Sequence, residues 1–141
     1  MKLIRTLHIT SQEFYHYLEK ELLQDAKKYG HKNVSRVEKG LHFSKYGDDQ
    51  YARVDVKVLD YVRNQIYSLQ MKSYTDTVTV TYKTNETDDG LEIEFEEIIS
   101  SEKKKKRNKI SQKFSETIYL SRMSQTIYDI ETAIVKERKE A

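Results

Sequence analysis

The apolar residues of this 141-residue chain change their spacing twice, and those changes restrict the folds open to it. Phe14, Leu18, Leu22 and Ala26 recur at the interval that lines one face of a helix. From Leu41 onward the period drops to two. Ala52, Val54, Val56 and Val58 alternate with Arg53, Asp55 and Lys57. Val78, Val80 and Tyr82 alternate with Thr77, Thr79 and Thr81, and Leu91, Ile93 and Phe95 with Glu92, Glu94 and Glu96. Such alternation marks strands with one buried and one wet face. Between residues 109 and 138 the helical interval returns, which at 1.5 Å per residue makes a helix of about 45 Å. The length allows one domain, so residues 1–141 read as a single α+β unit.

Local signals sharpen the order. Residues 2–9 read as a strand with Leu3, Leu7 and Ile9 on one face and Arg5 in the same phase. Thr10 and Glu13 have capping-box spacing, and Gly30 stands where a helix C′ glycine is expected. Asn33 can cap a second short helix that ends at Gly40. Leu41 and Phe43 open a strand, Gly47-Asp48-Asp49 and Asp88-Asp89-Gly90 are turns, and Tyr67, Leu69 and Met71 form a further apolar face. Short connections between successive strands favour an antiparallel meander. The last helix has two apolar sides, Ile110, Phe114 and Ile118 on one and Leu120, Met123, Ile127, Ile130 and Ile134 roughly opposite. Thr117, Ser121, Ser124 and Tyr128 continue the sector of Phe114, and small polar residues there would leave space beneath the helix.

Composition removes several chemistries. With no cysteine there are no disulfides, thiol nucleophiles or cysteine metal sites, and with no proline there is no polyproline ligand. Four glycines, well separated, cannot assemble a phosphate-binding loop, so no nucleotide cofactor is implied. His8, His16, His31 and His42 lack the spacing that places two imidazoles on one helical face, so no metal site is expected. No stretch reaches the roughly 20 apolar residues of a membrane span, and residues 1–10 lack the apolar core of a secretory signal.

The net charge of +2 does not suggest a dedicated nucleic-acid binder. Its distribution is uneven: Glu86, Asp88, Asp89, Glu92, Glu94, Glu96 and Glu97 form an acidic stretch, and Lys103 to Arg107 with Lys109 and Lys113 a basic one. Both read as solvated surfaces. The sharper alternative for the basic run is a phosphate or RNA contact, though no aromatic residue is interleaved for stacking.

Strand, two short helices, a run of antiparallel strands and a long C-terminal helix is an order that resembles the helix-grip fold of the START-like (SRPBCC) superfamily. That resemblance implies a curved antiparallel sheet wrapped around the C-terminal helix and enclosing a cavity; six strands are read here where that fold usually has seven. The opening MKLIRTLHITSQEFYHYLE, the Gly40–Lys45 segment GLHFSK and the Thr77–Lys83 segment TVTVTYK resemble a small bacterial family known as domain of unknown function 3284. That resemblance implies a cytoplasmic bacterial protein connected with carbohydrate uptake, and brings no activity, cofactor or site residues with it.

Eleven tyrosines are the most unusual compositional feature. Tyr67, Tyr74, Tyr82 and Tyr128 are placed to face the space between sheet and last helix. An apolar body with a polar tip suits a cavity wall for an amphipathic small molecule, though tyrosine also favours strands and packs well in cores. Asp76 shares the phase of Tyr74 and Val78: it either points inward, as an acid or base, or sits solvated in the turn before the strand. The leading expectation is a non-enzymatic module binding a small, partly apolar ligand through Tyr67, Tyr74, Asp76, Tyr82, Phe95, Phe114, Ser121 and Tyr128. The alternatives are an interaction or homodimer module using the C-terminal helix, and a small-molecule enzyme with Asp76 as its acid or base, since some START-like proteins are enzymes.

Overall fold

The computed structural model describes residues 1–46, 53–101 and 109–140, side chains 109–116 excepted. Six strands and two helices follow in the order β1 (Lys2–Leu7), α1 (Ser11–Lys28), β2 (His42–Lys45), β3 (Val54–Val62), β4 (Ile66–Lys72), β5 (Asp76–Thr87), β6 (Gly90–Ser101) and α2 (Lys109–Glu140). The strands form one sheet in the order β1-β6-β5-β4-β3-β2, and every neighbouring pair is antiparallel. Strands β2 to β6 are therefore a meander, and β1 returns to close against its last member. The Gly47–Asp49 turn, Ala52 and the Lys103–Arg107 run lie outside the described residues.

Helix α1 begins as its sequence demands. The Thr10 hydroxyl accepts from the Glu13 N–H at 3.1 Å, and the Glu13 carboxylate accepts from the Thr10 N–H at 3.0 Å, satisfying two orphan donors. Gly30 follows the helix with φ +108°, a conformation that glycine adopts without strain.

The second short helix does not form. Residues 31–40 run through turns, and of Val34 and Val37 only Val37 is buried. A cap and a terminal glycine are present, but two β-branched residues cannot supply the apolar face that offsets helix nucleation over so short a segment. The chain is drawn to the sheet instead: the Gly40 N–H donates to Val58 O at 2.9 Å, and the Val58 N–H to Leu41 O at 2.8 Å.

One sheet face carries the core. Leu7, Leu91, Ile93, Val56 and Val58 are sealed there beneath Phe14 and Tyr15 of α1 and Met123 and Ile127 of α2. Each such side chain contributes about 1.5–3 kcal/mol of burial. Helix α2 buries Met123, Ile127, Ile130 and Ile134, while Ile118 and Leu120 stay exposed. Its C-terminal half is tied down by polar contacts as well. Arg138 grips the Glu13 carboxylate at 2.9 and 2.8 Å, Glu131 accepts from the His8 N–H at 2.8 Å, and Lys20 pairs with Glu137 at 3.0 Å.

Candidate functional site

The antiparallel register sets Tyr67 opposite Tyr82, and Tyr82 opposite Phe95, so three adjacent strands present one row of rings to the inner face. Tyr82 stacks on Phe95 with centroids 4.7 Å apart, and Tyr67 lies 6.1 Å from Tyr82. Phe14 of α1 meets the Tyr82 ring edge-on at 5.5 Å. Tyr61 and Tyr15 extend the row, with centroids 6.1 Å from Tyr67 and 6.2 Å from Tyr61 respectively.

The hydroxyls of this row divide into two kinds. Tyr15 pairs with Thr84 Oγ1 at 2.9 Å, and Tyr61 donates to the Glu19 carboxylate. Tyr67 and Tyr82 are only 4% and 6% exposed, yet among the described residues their hydroxyls have no hydrogen-bond partner. Among the described residues, no fully enclosed side-chain nitrogen or oxygen lacks a partner. The two phenol tips therefore reach accessible space rather than being sealed in apolar packing. Burial pushes both phenols well above their ordinary value, and it pushes Tyr15 up to about 12.

Beyond these tips the inner face is less covered. Leu69, Met71, Val78, Val80, Glu97 and Ile99 are half-buried, in contrast to the sealed Leu91, Ile93 and Val56. Glu97 continues the inward phase of Leu91, Ile93 and Phe95 and stands opposite Val80. Burial raises the pKa of its carboxyl, and the N-terminal ammonium opposes that rise in part. Tyr119 of α2 is raised by burial first, with the negative charges of Glu97 and Asp76 adding to it, so all three belong to this end of the fold.

The residues singled out from sequence fall into separate places. Tyr67, Tyr82 and Phe95 come together as described. Asp76 is the first residue of β5, half-buried and opposite Ser101; its N–H donates to Ser73 Oγ at 3.1 Å. It thus combines the two positions weighed for it, the end of a turn and the start of an inward-facing phase. Tyr74 does not join the row: it lies in that turn, 74% exposed. Ser121 and Tyr128 line an open groove of ≈ 400 Å³ with Arg5, Thr117 and Ser124, along the seam of α2 and β1. The small residues of α2 thus open a gap at the sheet edge, not beneath the helix. The Phe114 side chain lies outside the described ones.

Glu97, Tyr119 and Phe14 are inner-face residues that sequence reasoning did not assign to the site. For Glu97 the signal was present. It shares the alternation of Leu91, Ile93 and Phe95, but it follows Glu96 and was absorbed into an acidic stretch read as solvated. The four histidines are exposed, and no group of three metal-ligating side chains occurs among the described residues. No helix among them is long and apolar enough to cross a membrane.

A six-stranded antiparallel sheet, one N-terminal helix and a long C-terminal helix against the same face define an α+β protein of the helix-grip fold class. Within that class the chain belongs to the family described as domain of unknown function DUF3284, which matches residues 1–120. The fold is shared with protein MLL2253 from Mesorhizobium loti at 14% identity and TM-score 0.62, over 97% of this chain and 96% of that one. Ara h 8.0201 is similar at 11% identity and TM-score 0.62, over 96% and 97%. The protein of unknown function SA2116 from Staphylococcus aureus is similar at 12% identity and TM-score 0.59, over 100% and 95%. At these identities the likeness is one of fold. No curated protein sequence matches the chain.

Proposed function

We propose that this protein is a non-enzymatic module that binds a small, partly apolar molecule on the inner face of its sheet, beside α2. The observation that carries this reading is the pair Tyr67 and Tyr82, residues more than nine-tenths buried whose hydroxyls nevertheless reach accessible space and have no partner among the described residues. A buried hydroxyl gains from any group that pairs with it, and a protein core normally supplies one. Phe95, Val80 and Leu69 beside them offer apolar contact, and Asp76, Glu97 and Tyr119 offer polar ends. Of the residues first expected to form the site, Tyr67, Tyr82, Phe95 and Asp76 belong to this wall. A cytoplasmic setting and a connection with carbohydrate uptake go with the reading as the family resemblance implies them.

Native mass spectrometry of the protein purified from its own host, set against the denatured mass, tests this. A non-covalent adduct lost on denaturation, and reduced in a Tyr82→Phe variant, is the expected result. A clean protein mass together with failure of any apolar probe to bind would remove the reading.

A second reading has its own observation. Leu120 and Tyr128 are 37% and 42% exposed on α2, along its groove with the neighbouring edge strand β1. Self-association through this seam would cover them. A monomer in light scattering at high protein concentration would dismiss it.

A further inference from the structure

The proposed ligand site leaves the chemistry of its ligand open, and Glu97 narrows that chemistry, provided the ligand-binding reading itself holds. On the outward face of β6, Glu94 and Glu96 face Lys2 at 2.9 and 3.8 Å. Glu97 is different. Its side chain points to the inner face, half-buried, and among the described residues it has neither an ion pair nor a hydrogen bond. The N-terminal ammonium lies close, but it donates to the main-chain oxygen of Glu97 at 2.8 Å rather than to the carboxylate. Arg122, which acts on Tyr119, is exposed on α2, and Arg5 lines the groove on the β1 side. A carboxylate withdrawn from water is costly unless something pairs with it.

The neighbours of that carboxylate are a phenol hydroxyl, which can accept as well as donate, and a second carboxylate, set among rings. The Tyr82 hydroxyl lies near enough for the Glu97 charge to act on it, and Tyr82 stacks directly on Phe95, two residues before Glu97 on the same face. Asp76 places another negative charge at the same end. A group with several donors, no acceptor and a positive charge answers this arrangement, and a primary ammonium is such a group. Aromatic rings add to the attraction for a cation. A ligand carboxylate would instead meet two like charges.

We propose that the inner-face site takes a primary amine with an apolar body, its ammonium held by the Glu97 carboxylate and the Tyr82 hydroxyl oxygen and its body lying against Phe95, Val80 and Leu69. The test uses the full chain and the neutral fluorophore N-phenyl-1-naphthylamine, displaced in parallel by octylamine, octanol and octanoate. These share one chain and differ in the head group. Octylamine is expected to displace the fluorophore at about one-tenth the concentration of the other two, the effect of one charge-assisted hydrogen bond. In Glu97→Gln that advantage should vanish while octanol still displaces the fluorophore, and an unchanged or higher urea midpoint shows that the variant folds. Octanol or octanoate matching octylamine, or a preference that survives Glu97→Gln, overturns the amine assignment and leaves the site standing. Failure of the fluorophore and all three competitors to bind overturns the ligand site itself.

Discussion

Tyr82 and Tyr15 are both buried on the inner side of the fold, yet deleting their hydroxyls should have different consequences. The Tyr15 hydroxyl pairs with Thr84 Oγ1, which itself donates to Asn64 O at 3.2 Å in the β3–β4 turn. Tyr15→Phe removes a made hydrogen bond and should cost about 1 kcal/mol in urea unfolding. Tyr82→Phe removes a hydroxyl with no partner among the described residues, so stability should stay within about 0.5 kcal/mol or rise. Equal losses in the two variants would mean that the Tyr82 hydroxyl is satisfied, and the case for accessible space beside it would fall. Glu97 adds a pH signature. Burial raises its folded-state pKa above the ordinary carboxylate value, so the folded form holds its proton more tightly than the unfolded chain does. Above the folded value the charge opposes folding, and below the ordinary value that penalty is absent. Glu97→Gln should therefore gain stability over the parent as pH rises through this window, with the two converging in acid. Denaturant midpoints on both sides of the window would show it. The shared inner face of Tyr67, Tyr82 and Phe95 was legible from strand phase, because alternation fixes the face of each residue, whereas Tyr61 and Tyr15 were not assigned to it and Tyr74 and Tyr128 fall elsewhere. Glu97 was missed, because a count of consecutive charges discards the phase in which each one points.

At the scale of elements, the places where backbone geometry is forced are the sharpest to probe. Gly90 closes the β5–β6 hairpin with φ +136°, and a Cβ added there would lie 2.2 Å from the Leu7 carbonyl oxygen. That contact is with main chain of the neighbouring β1, so it cannot be relieved by a rotamer change. Gly90→Ala should cost roughly 1–3 kcal/mol from backbone conformation alone, with the clash adding to it, whereas Gly30→Ala meets open space and bears only the conformational part. A loss at Gly90 no larger than at Gly30 would mean that β1 does not pack on the hairpin as described. Both helix ends of α1 were readable in the sequence because cap and apolar face agree. The segment from Asn33 to Gly40 carries the end signals without the face, and the sheet edge at Val58 claimed its backbone instead. End signals locate where a helix can stop, and only burial decides whether one exists.

Across the whole molecule, α2 joins two regions held in different ways, and sequence could not say which of its apolar sides would be buried. Both sides have helical spacing, and the choice belongs to the sheet and α1. From Met123 onward the helix is packed and clamped: Met123, Ile127 and Ile134 are nearly sealed, and Arg138 grips Glu13 near the start of α1. Around residues 117–121 it is largely exposed, next to the half-covered end of the inner face. Stability should follow that division. Ile127→Ala should cost about 2–5 kcal/mol, because a fully buried side chain leaves a cavity between α2 and the sheet. Leu120→Ala should cost well under half of that, since Leu120 is 37% exposed. The clamp supplies a pH test of the same division. The Arg138 hydrogen bond holds the Glu13 pKa below its ordinary value, so its stabilisation is present above the unfolded-state pKa and is lost as pH falls through the lower folded value. Arg138→Ala should thus be destabilising near neutrality and progressively closer to the parent in acid, while the deficit of Ile127→Ala, which has no titrating partner, should persist. Parallel urea titrations at pH 7 and below the ordinary carboxylate range would separate them. If Arg138→Ala kept its full deficit in acid, the far end of α2 would be held by packing rather than by charge. If Leu120→Ala matched Ile127→Ala, the region beside the inner-face site would be as tightly closed as the core, leaving no room for a ligand.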